Sequence, residues 1–236
     1  MEKFIIFKEI VNGRRSIRKF TTDKIPTEIM EECLDLALLA PNSSNLQPWE
    51  FYWIQDESKK KQIARFCMNQ SAARTASDLI VIVARPDHWK QGQKLNLDHI
   101  DSNDPKQKDF YNYYSKIVPM AYSTDPFGIL KIIKTVVAFV IGLSKVSYRG
   151  PFGRSGNLLW ATKTTALAAE NLMLALHAAG YDSCPMEGFD QVRVKKLLKL
   201  PCDAYVVMII GAGRKDVGGL YGPRTRGPKD MFVKKI

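Results

Sequence analysis

The chain has 236 residues, 45% hydrophobic and 25% charged, which is the balance of one globular domain able to bury a core without disulfides. Its net charge of +11 fits either a lysine-rich solvated surface or an anionic partner such as a phosphorylated cofactor or lipid. The basic runs are short and lack interleaved aromatic residues, which argues against nucleic acid.

Helix signals open the chain. A helix is predicted at Met1–Asn12, ended by Gly13, and a second after Pro26, with Thr27 as its N-cap. The spacing of apolar residues predicts the buried face of the second helix: Ile29, Cys33, Leu36, Ala37 and Ala40.

Strands and helices alternate along the rest of the chain. Continuous apolar runs predict strands whose two faces are both covered. The predicted elements are strand Glu50–Ile54, helix Ser58–Cys67, strand Leu79–Ala84, helix Ala161–Ala179, a helix from the cap Asp190 to Leu200, and strand Tyr205–Ile210. This order favours an α+β or α/β sandwich.

The stretch Asp87–Ser123 has no clear period, and Phe127–Val146 is apolar but interrupted by lysines. The uncharged part, Thr135–Ser144, is much shorter than the ~20 residues of a membrane-spanning helix. We therefore expect no membrane span here. A helical flap, a core helix or a helix touching a membrane surface all remain open.

The four cysteines have neither the C-x-x-C spacing nor the histidine neighbours of a metal site. Reduced, inert thiols in a cytoplasmic protein are the simplest interpretation. The N-terminus also lacks the pattern of a secretory signal peptide.

A basic turn, Arg14-Arg15-Ser16-Ile17-Arg18, follows the first helix. Guanidinium groups bind phosphate through paired, charge-assisted hydrogen bonds, so the turn is a candidate phosphate site. A solvated basic turn is the alternative. Late in the chain, Tyr221–Pro228 carries Arg224 and Arg226 between glycines and prolines, and it is either a second basic element or a disordered tail.

Two polar segments are candidate ligand loops. The segment Pro41–Pro48 holds Asn, Ser and Gln side chains between two prolines, which restrict the backbone. The segment Cys184–Asp190 contains Gly188, whose lack of a side chain allows close approach of backbone N–H groups to a ligand. A plain loop and a helix-capping turn are the respective alternatives.

Other chemistries lack their signatures. Gly211-Ala212-Gly213 follows a strand, but Arg214 and Lys215 stand where a dinucleotide fold would continue into a helix. The three histidines have no metal spacing, and no Ser-His-Asp or paired-carboxylate pattern is evident.

Taken in order, these segments resemble the nitroreductase family of FMN-dependent oxidoreductases. The resemblance rests on R-R-S-x-R-x-F, A-P-N-S-x-N-x-Q-P-W, P-x-E-G-F, a strand ending in G-x-G and the late basic pair, and it covers Arg14–Val83 and Trp160–Arg226. It implies one α+β domain over residues 1–236, with a mixed central sheet flanked by helices, in an intertwined homodimer. Residues 87–150 match nothing and would form a variable region over the substrate.

The resemblance also implies which residues bind FMN. Arg14 would lie near the phosphate and Arg18 near the pyrimidine edge, and the loop from Pro41 would come from the other subunit. The implied set is Arg14, Arg15, Ser16, Arg18, Pro41, Asn42, Ser43, Asn45, Gln47, Asn69, Pro185, Met186, Glu187, Gly188, Arg224 and Arg226. Two departures are Ala72, where some members have lysine, and Asn42, where serine is commoner.

The implied activity is electron transfer from NADH or NADPH to a small oxidised acceptor, such as a nitroaromatic or a quinone, by a ping-pong mechanism. The flavin would carry the chemistry, so no catalytic side chain and no metal are expected. Alternatives are a specialised flavin reductase, reductive dehalogenase, or enoate or quinone reductase of the same fold, a flavin-binding regulator or storage protein with slow turnover, or a basic nucleic-acid or membrane-surface module.

Overall fold

The computed structural model describes residues 1–236 as an α+β fold with one four-stranded sheet and eleven helices. The strands are β1 (Trp49–Ile54), β2 (Asp78–Ala84), β3 (Asp182–Met186) and β4 (Tyr205–Gly213). The helices are α1 (Glu2–Gly13), α2 (Thr27–Leu38), α3 (Glu57–Phe66), α4 (Ser71–Thr75), α5 (Trp89–Asp98), α6 (Lys108–Asn112), α7 (Val118–Tyr122), α8 (Ile129–Ile141), α9 (Gly153–Ala178), α10 (Gln191–Leu197) and α11 (Lys229–Phe232).

The sheet has the order β1-β2-β4-β3, and every neighbouring pair of strands is antiparallel. The α+β class is as predicted, but the sheet is not mixed in its four strands. The one parallel pairing is an isolated bridge between Ser16 and Ser183, which attaches the basic turn to the edge strand β3.

Both faces of the sheet are covered because β2 alternates between two cores. Leu79, Val81 and Val83 face one cluster, which includes residues of α3, α4 and α10. Ile80 and Ile82 face the other, which is built from α2 and α9. All five side chains are fully buried, as the continuous apolar run predicts.

Most predicted elements are present within a few residues of their expected ends. In α2, however, the N-cap is Pro26, and Thr27 is already helical with no capping hydrogen bond. The buried face contains Met30, Cys33 and Ala37, whereas the predicted Leu36 is exposed. Asp190 caps α10 as predicted, by accepting a hydrogen bond from the Arg193 N–H.

Two regions differ more. Strand β3 was not predicted, and its last residues overlap the segment Cys184–Asp190, which was interpreted as a loop or a helix-capping turn. Pro185 is tolerated in this strand because the strand lies at the edge of the sheet. Residues 87–123 form short helices, with a π-helical turn at Tyr113–Ile117. The apolar stretch is α8, which buries only Ala138 and is therefore not a core helix. No helix in the structure has both the length and the apolarity required to cross a bilayer.

Glycine at position 211 is required by packing rather than by a ligand. A Cβ atom there would lie 2.8 Å from the Ala72 carbonyl oxygen and 3.3 Å from the Ala76 Cβ. This close approach lets α4 lie against β4 and accounts for one glycine of the Gly211-Ala212-Gly213 segment.

We predict that Gly211→Ala destabilises the protein by about 1–3 kcal/mol, because the new methyl group must displace α4 backbone. The measurement is the free energy of unfolding in denaturant. Gly222→Ala is the matched control, since a Cβ at position 222 meets no atom within 4 Å. Equal stability of the two variants would contradict the packing argument.

Candidate functional site

The basic turn after α1 is held between β3 and the C-terminal segment. The Ile17 N–H donates to the Ser183 carbonyl (3.1 Å), and the Arg18 N–H donates to the Gly219 carbonyl (2.7 Å). The Ile17 side chain is buried in the core beneath. The backbone of the turn is thus fixed while its arginine side chains remain at the surface.

The C-terminal segment folds back onto this turn. Arg224 donates through Nη2 to the carbonyls of Asn12 (2.8 Å) and Arg14 (2.6 Å). Arg15 donates through Nη2 to the Gly222 carbonyl (2.6 Å). These bonds bring residues separated by more than 200 positions into one cluster, which we call the arginine cluster: Arg14, Arg15, Arg18, Arg224 and Arg226.

No carboxylate neutralises the arginine cluster, since none of its members forms a salt bridge. The pKa of Arg224 is held below its ordinary value, first by the loss of surrounding water and then by the positive charges of Arg15, Arg226 and Arg14. Like charges gathered without counter-ions form a site for an anion.

Two buried polar atoms beside the cluster have no hydrogen-bond partner. They are Nη1 of Arg14 and Oγ of Ser183. A buried donor without a partner is costly, so such atoms are rare away from functional sites. Both can donate a hydrogen bond, which matches the acceptor-only oxygens of a phosphate.

A second, neighbouring group of predicted residues lies where β3 ends. Pro185 and Met186 belong to the strand, and Glu187 and Gly188 follow it in an exposed turn. Gln70 donates through Nε2 to the Gly188 carbonyl (2.8 Å), so the adjacent Asn69 lies beside this turn.

The arginine cluster and the β3 turn are also close to each other. The positive charges of Arg18 and Arg14 act on the buried thiol of Cys184, in β3 itself. Arg18 packs over the Tyr221 ring, with 5.2 Å between the guanidinium carbon and the ring centroid. The basic turn, the C-terminal segment and strand β3 therefore meet at this edge of the sheet.

The polar loop Asn42–Gln47 lies elsewhere. Within the loop, the Asn42 Oδ1 accepts from the Gln47 N–H (2.9 Å). Two hydrogen bonds join the loop to the helices that follow: Ser44 with the Tyr113 hydroxyl (2.6 Å), and Asn45, which donates to Asn96 (3.0 Å). No hydrogen bond joins this loop to the arginine cluster. One chain therefore does not bring all the predicted site residues together.

The backbone of the polar loop is strained, and packing of Leu46 against the protein holds it in that conformation. Ser44, Asn45 and Gln47 all have positive φ angles, a conformation that costs energy in residues other than glycine. Leu46 anchors the loop in an apolar cluster with Trp89, Tyr114 and Val118. Gly92 permits this contact, since a Cβ there would lie 2.4 Å from the Leu46 carbonyl oxygen.

Two site residues escaped the sequence-based prediction, Ser183 and Gly219, and Tyr221 lies in the predicted basic segment but was not named as a site residue. Ser183 lies in β3, which the sequence did not reveal as a strand. Gly219 and Tyr221 join the site through hydrogen bonds and ring stacking across the chain, for which no local pattern exists.

The sequence matches the family model described as "Nitroreductase family" over residues 11–214. The chain belongs to the nitroreductase family. It is therefore an oxidoreductase, and the family resemblance found in the motifs is confirmed.

Similar proteins agree with this membership. Protein DrgA of Synechocystis sp. is 29% identical over 97% of this chain and 93% of its own length. The Bacillus subtilis protein named "Putative NAD(P)H nitroreductase YdgI" is 29% identical over 88% of both chains. The crystal structure of a "putative nitroreductase in complex with FMN" from Exiguobacterium sibiricum has a TM-score of 0.68, with 27% identity over 98% of this chain and 97% of that one.

The cysteines of this nitroreductase-family protein are all free thiols, and three of them are buried. Burial raises the pKa of Cys33 to about 11 and that of Cys67 to about 12. Burial also raises the pKa of Cys184, opposed by Arg18 and Arg14. All three thiols therefore stay protonated near neutral pH.

We predict that iodoacetamide alkylates only Cys202, the exposed cysteine, in the native protein at neutral pH, because the thiolate is the reactive species. Peptide mass spectrometry before and after unfolding measures this. Rapid labelling of Cys184 in the native state would contradict the assignment, and would mean that the arginines outweigh burial at that thiol.

Proposed function

We propose that this protein is an FMN-dependent NAD(P)H oxidoreductase that reduces a small oxidised acceptor, such as a nitroaromatic or a quinone. The observation that carries the proposal is the arginine cluster, which gathers five guanidinium groups with no carboxylate partner. An oxidoreductase with a built anion site and no metal-ligand cluster fits a phosphorylated organic cofactor.

The phosphate of FMN fits the donors of the cluster. Arg14, with its unpartnered buried Nη1, would bind it, and Arg15, Ser16, Arg224 and Arg226 would supply further donors. The hydrogen bond from Arg224 to the Arg14 carbonyl supports this role for Arg224. The FMN complex of the Exiguobacterium relative and the NAD(P)H nitroreductase name of the Bacillus relative support the cofactor and the reductant.

The flavin ring would lie towards the β3 turn. Arg18 supplies a positive charge for the pyrimidine edge, and this matters because Ala72, buried in α4, supplies none. Backbone N–H groups of Met186 to Gly188 and the side chain of Asn69 would hold the ring. Bound FMN supplies the hydride and electron-transfer chemistry, so the chain needs only to bind, orient and tune it.

We further propose a homodimer in which Pro41, Asn42, Ser43, Asn45 and Gln47 of one subunit complete the site of the other. The polar loop is preorganised yet lies apart from the arginine cluster of its own chain. Helix α1 has no buried residue and exposes Phe4, Ile5, Ile6 and Phe7. An apolar face of this kind is typical of a subunit interface.

Donor and acceptor would use one site in turn, giving ping-pong kinetics. Residues 87–150 are assigned to cover this site and to select the acceptor, because their aromatic cluster supports the polar loop. Four free thiols fit the reducing conditions of the cytoplasm.

Replacing Arg14 or Arg224 with alanine is predicted to weaken FMN binding by about 10- to 100-fold, the effect of losing one charged hydrogen bond of ~1.5–3 kcal/mol. Titration of the apoprotein with FMN, followed by flavin fluorescence, measures the affinity. Arg65→Ala is the control, since Arg65 is exposed on α3, away from the cluster. Full FMN affinity in both site variants would overturn the phosphate assignment.

Turnover separates the enzyme from a flavin-binding regulator with the same site. We expect NADH or NADPH to bleach the bound flavin within seconds, and nitrobenzene or benzoquinone to restore its absorbance. Initial rates over a grid of donor and acceptor concentrations should give parallel double-reciprocal lines. A flavin that binds tightly but is not reduced by either dinucleotide would favour the regulator.

The dimer has its own test. We predict that Phe4→Glu combined with Phe7→Glu gives a monomer by light scattering and lowers FMN affinity at least tenfold, since the partner's loop is lost. Val192→Glu, an exposed apolar residue on α10, is the control and should remain dimeric. A wild-type monomer that holds FMN at full stoichiometry would refute the shared site.

A further inference from the structure

Helix α8 directs its apolar side chains towards solvent. Ala138 is its only buried residue. Eight large apolar side chains are exposed by 45% to 64%: Ile129, Ile132, Ile133, Val136, Val137, Phe139, Val140 and Ile141. At 100° per residue, most of these lie on one broad face opposite Ala138.

Helix α8 has two lysines: Lys131 is exposed, whereas Lys134 is directed inwards. Lys134 donates through Nζ to the carbonyls of Ser123 (2.7 Å) and Ala121 (3.1 Å), and burial lowers its pKa. The polar side of the helix therefore faces the protein and the apolar side faces away, the reverse of an ordinary surface helix.

The apolar surface continues beyond both ends of α8. Phe127 precedes the helix with 85% of its surface exposed, and Leu143, Val146 and Tyr148 follow it, each more than two-thirds exposed. Aromatic residues at the margins of an apolar face are typical of segments that lie at a membrane interface.

The segment that carries this face is basic. Between Asp125 and Glu170 the chain has no acidic residue, and Lys131, Lys145, Arg149 and Arg154 are exposed there. The one carboxylate beside them is that of Asp125, which accepts hydrogen bonds from the backbone N–H groups of Phe127, Ile129 and Leu130 and keeps its negative charge.

A cavity of about 350 Å³ lies where α8 and α9 begin, and Asp125, Phe127, Lys131 and Arg154 are among the residues that line it. Its two cations outnumber its one carboxylate, and cations beside an aromatic ring and an apolar helix match the boundary between phosphate headgroups and acyl chains.

We propose that the α8 face, Phe127–Val146, binds the surface of an anionic phospholipid bilayer. At 1.5 Å per residue the helix of 13 residues is about 20 Å long, so it would lie in the plane of the interface and not cross it. A second copy of the chain is a poorer occupant, because it would bring the same cations together. This surface is separate from α1, on which the proposed dimer depends.

The test is co-sedimentation of the FMN-loaded, full-length protein with vesicles. We expect binding to phosphatidylcholine vesicles that contain phosphatidylserine, little binding to phosphatidylcholine alone, and release by high salt. Ile132→Gln combined with Val136→Gln should lower binding at least tenfold, while Val192→Gln, an exposed apolar position on α10, leaves it unchanged.

A charge variant keeps the test valid if the double variant fails to fold. Lys145→Gln should weaken binding about fivefold, as expected for one cation near an anionic membrane, and Lys61→Gln on α3 should not. Wild-type protein that stays in the supernatant, or that binds neutral and anionic vesicles equally, would overturn the proposal. A third result would also overturn it: the Ile132/Val136 variant has half the wild-type mass by light scattering, and the wild-type protein does not bind vesicles. That result would make α8 a subunit contact.

Discussion

The arrangement of the site depends on repulsion between guanidinium groups that the backbone holds together. Arg14 and Arg15 are fixed by a turn bonded to β3, and Arg224 reaches them by donating to main-chain carbonyls. Those bonds satisfy only part of each guanidinium group, so further donors, among them the unpartnered Nη1 of Arg14, are free to bind a ligand. The fold thus holds the like charges together against their repulsion. A bound phosphate would relieve that repulsion by attracting all of them.

The sequence predicted the class of fold and the two basic segments, since apolar runs and arginine-rich turns are local signals. It did not predict β3, because proline hides a strand that is tolerated only at a sheet edge. Nor did it predict Ser183, because the buried hydroxyl without a hydrogen-bond partner is relevant only through its position beside the basic turn. The helices at residues 89–122 were missed because they are short and lack a sustained period.

Different surfaces of the molecule are suited to different interactions. The sheet is covered on both faces, and only its edge strand β3 lies at the site. Helix α1 and the polar loop are suited to a second subunit, whereas α8 has the sidedness and the charge of a membrane-facing helix. A reductase with this arrangement could meet acceptors that dissolve in lipid, while its dinucleotide donor arrives from water.

The C-terminal segment has few anchors of its own, and it is tied to the body mainly through Gly219, Gly222 and Arg224. The positive charges that it brings to Arg14 repel one another, while the hydrogen bonds of Arg224 hold the segment in place. An anion bound at the proposed site would remove this repulsion, so binding there would also stabilise the C-terminal segment. Proteolytic loss of residues 219–236 would remove Arg224 and Arg226 together, so the proposed cofactor site would lose its affinity in a single cut.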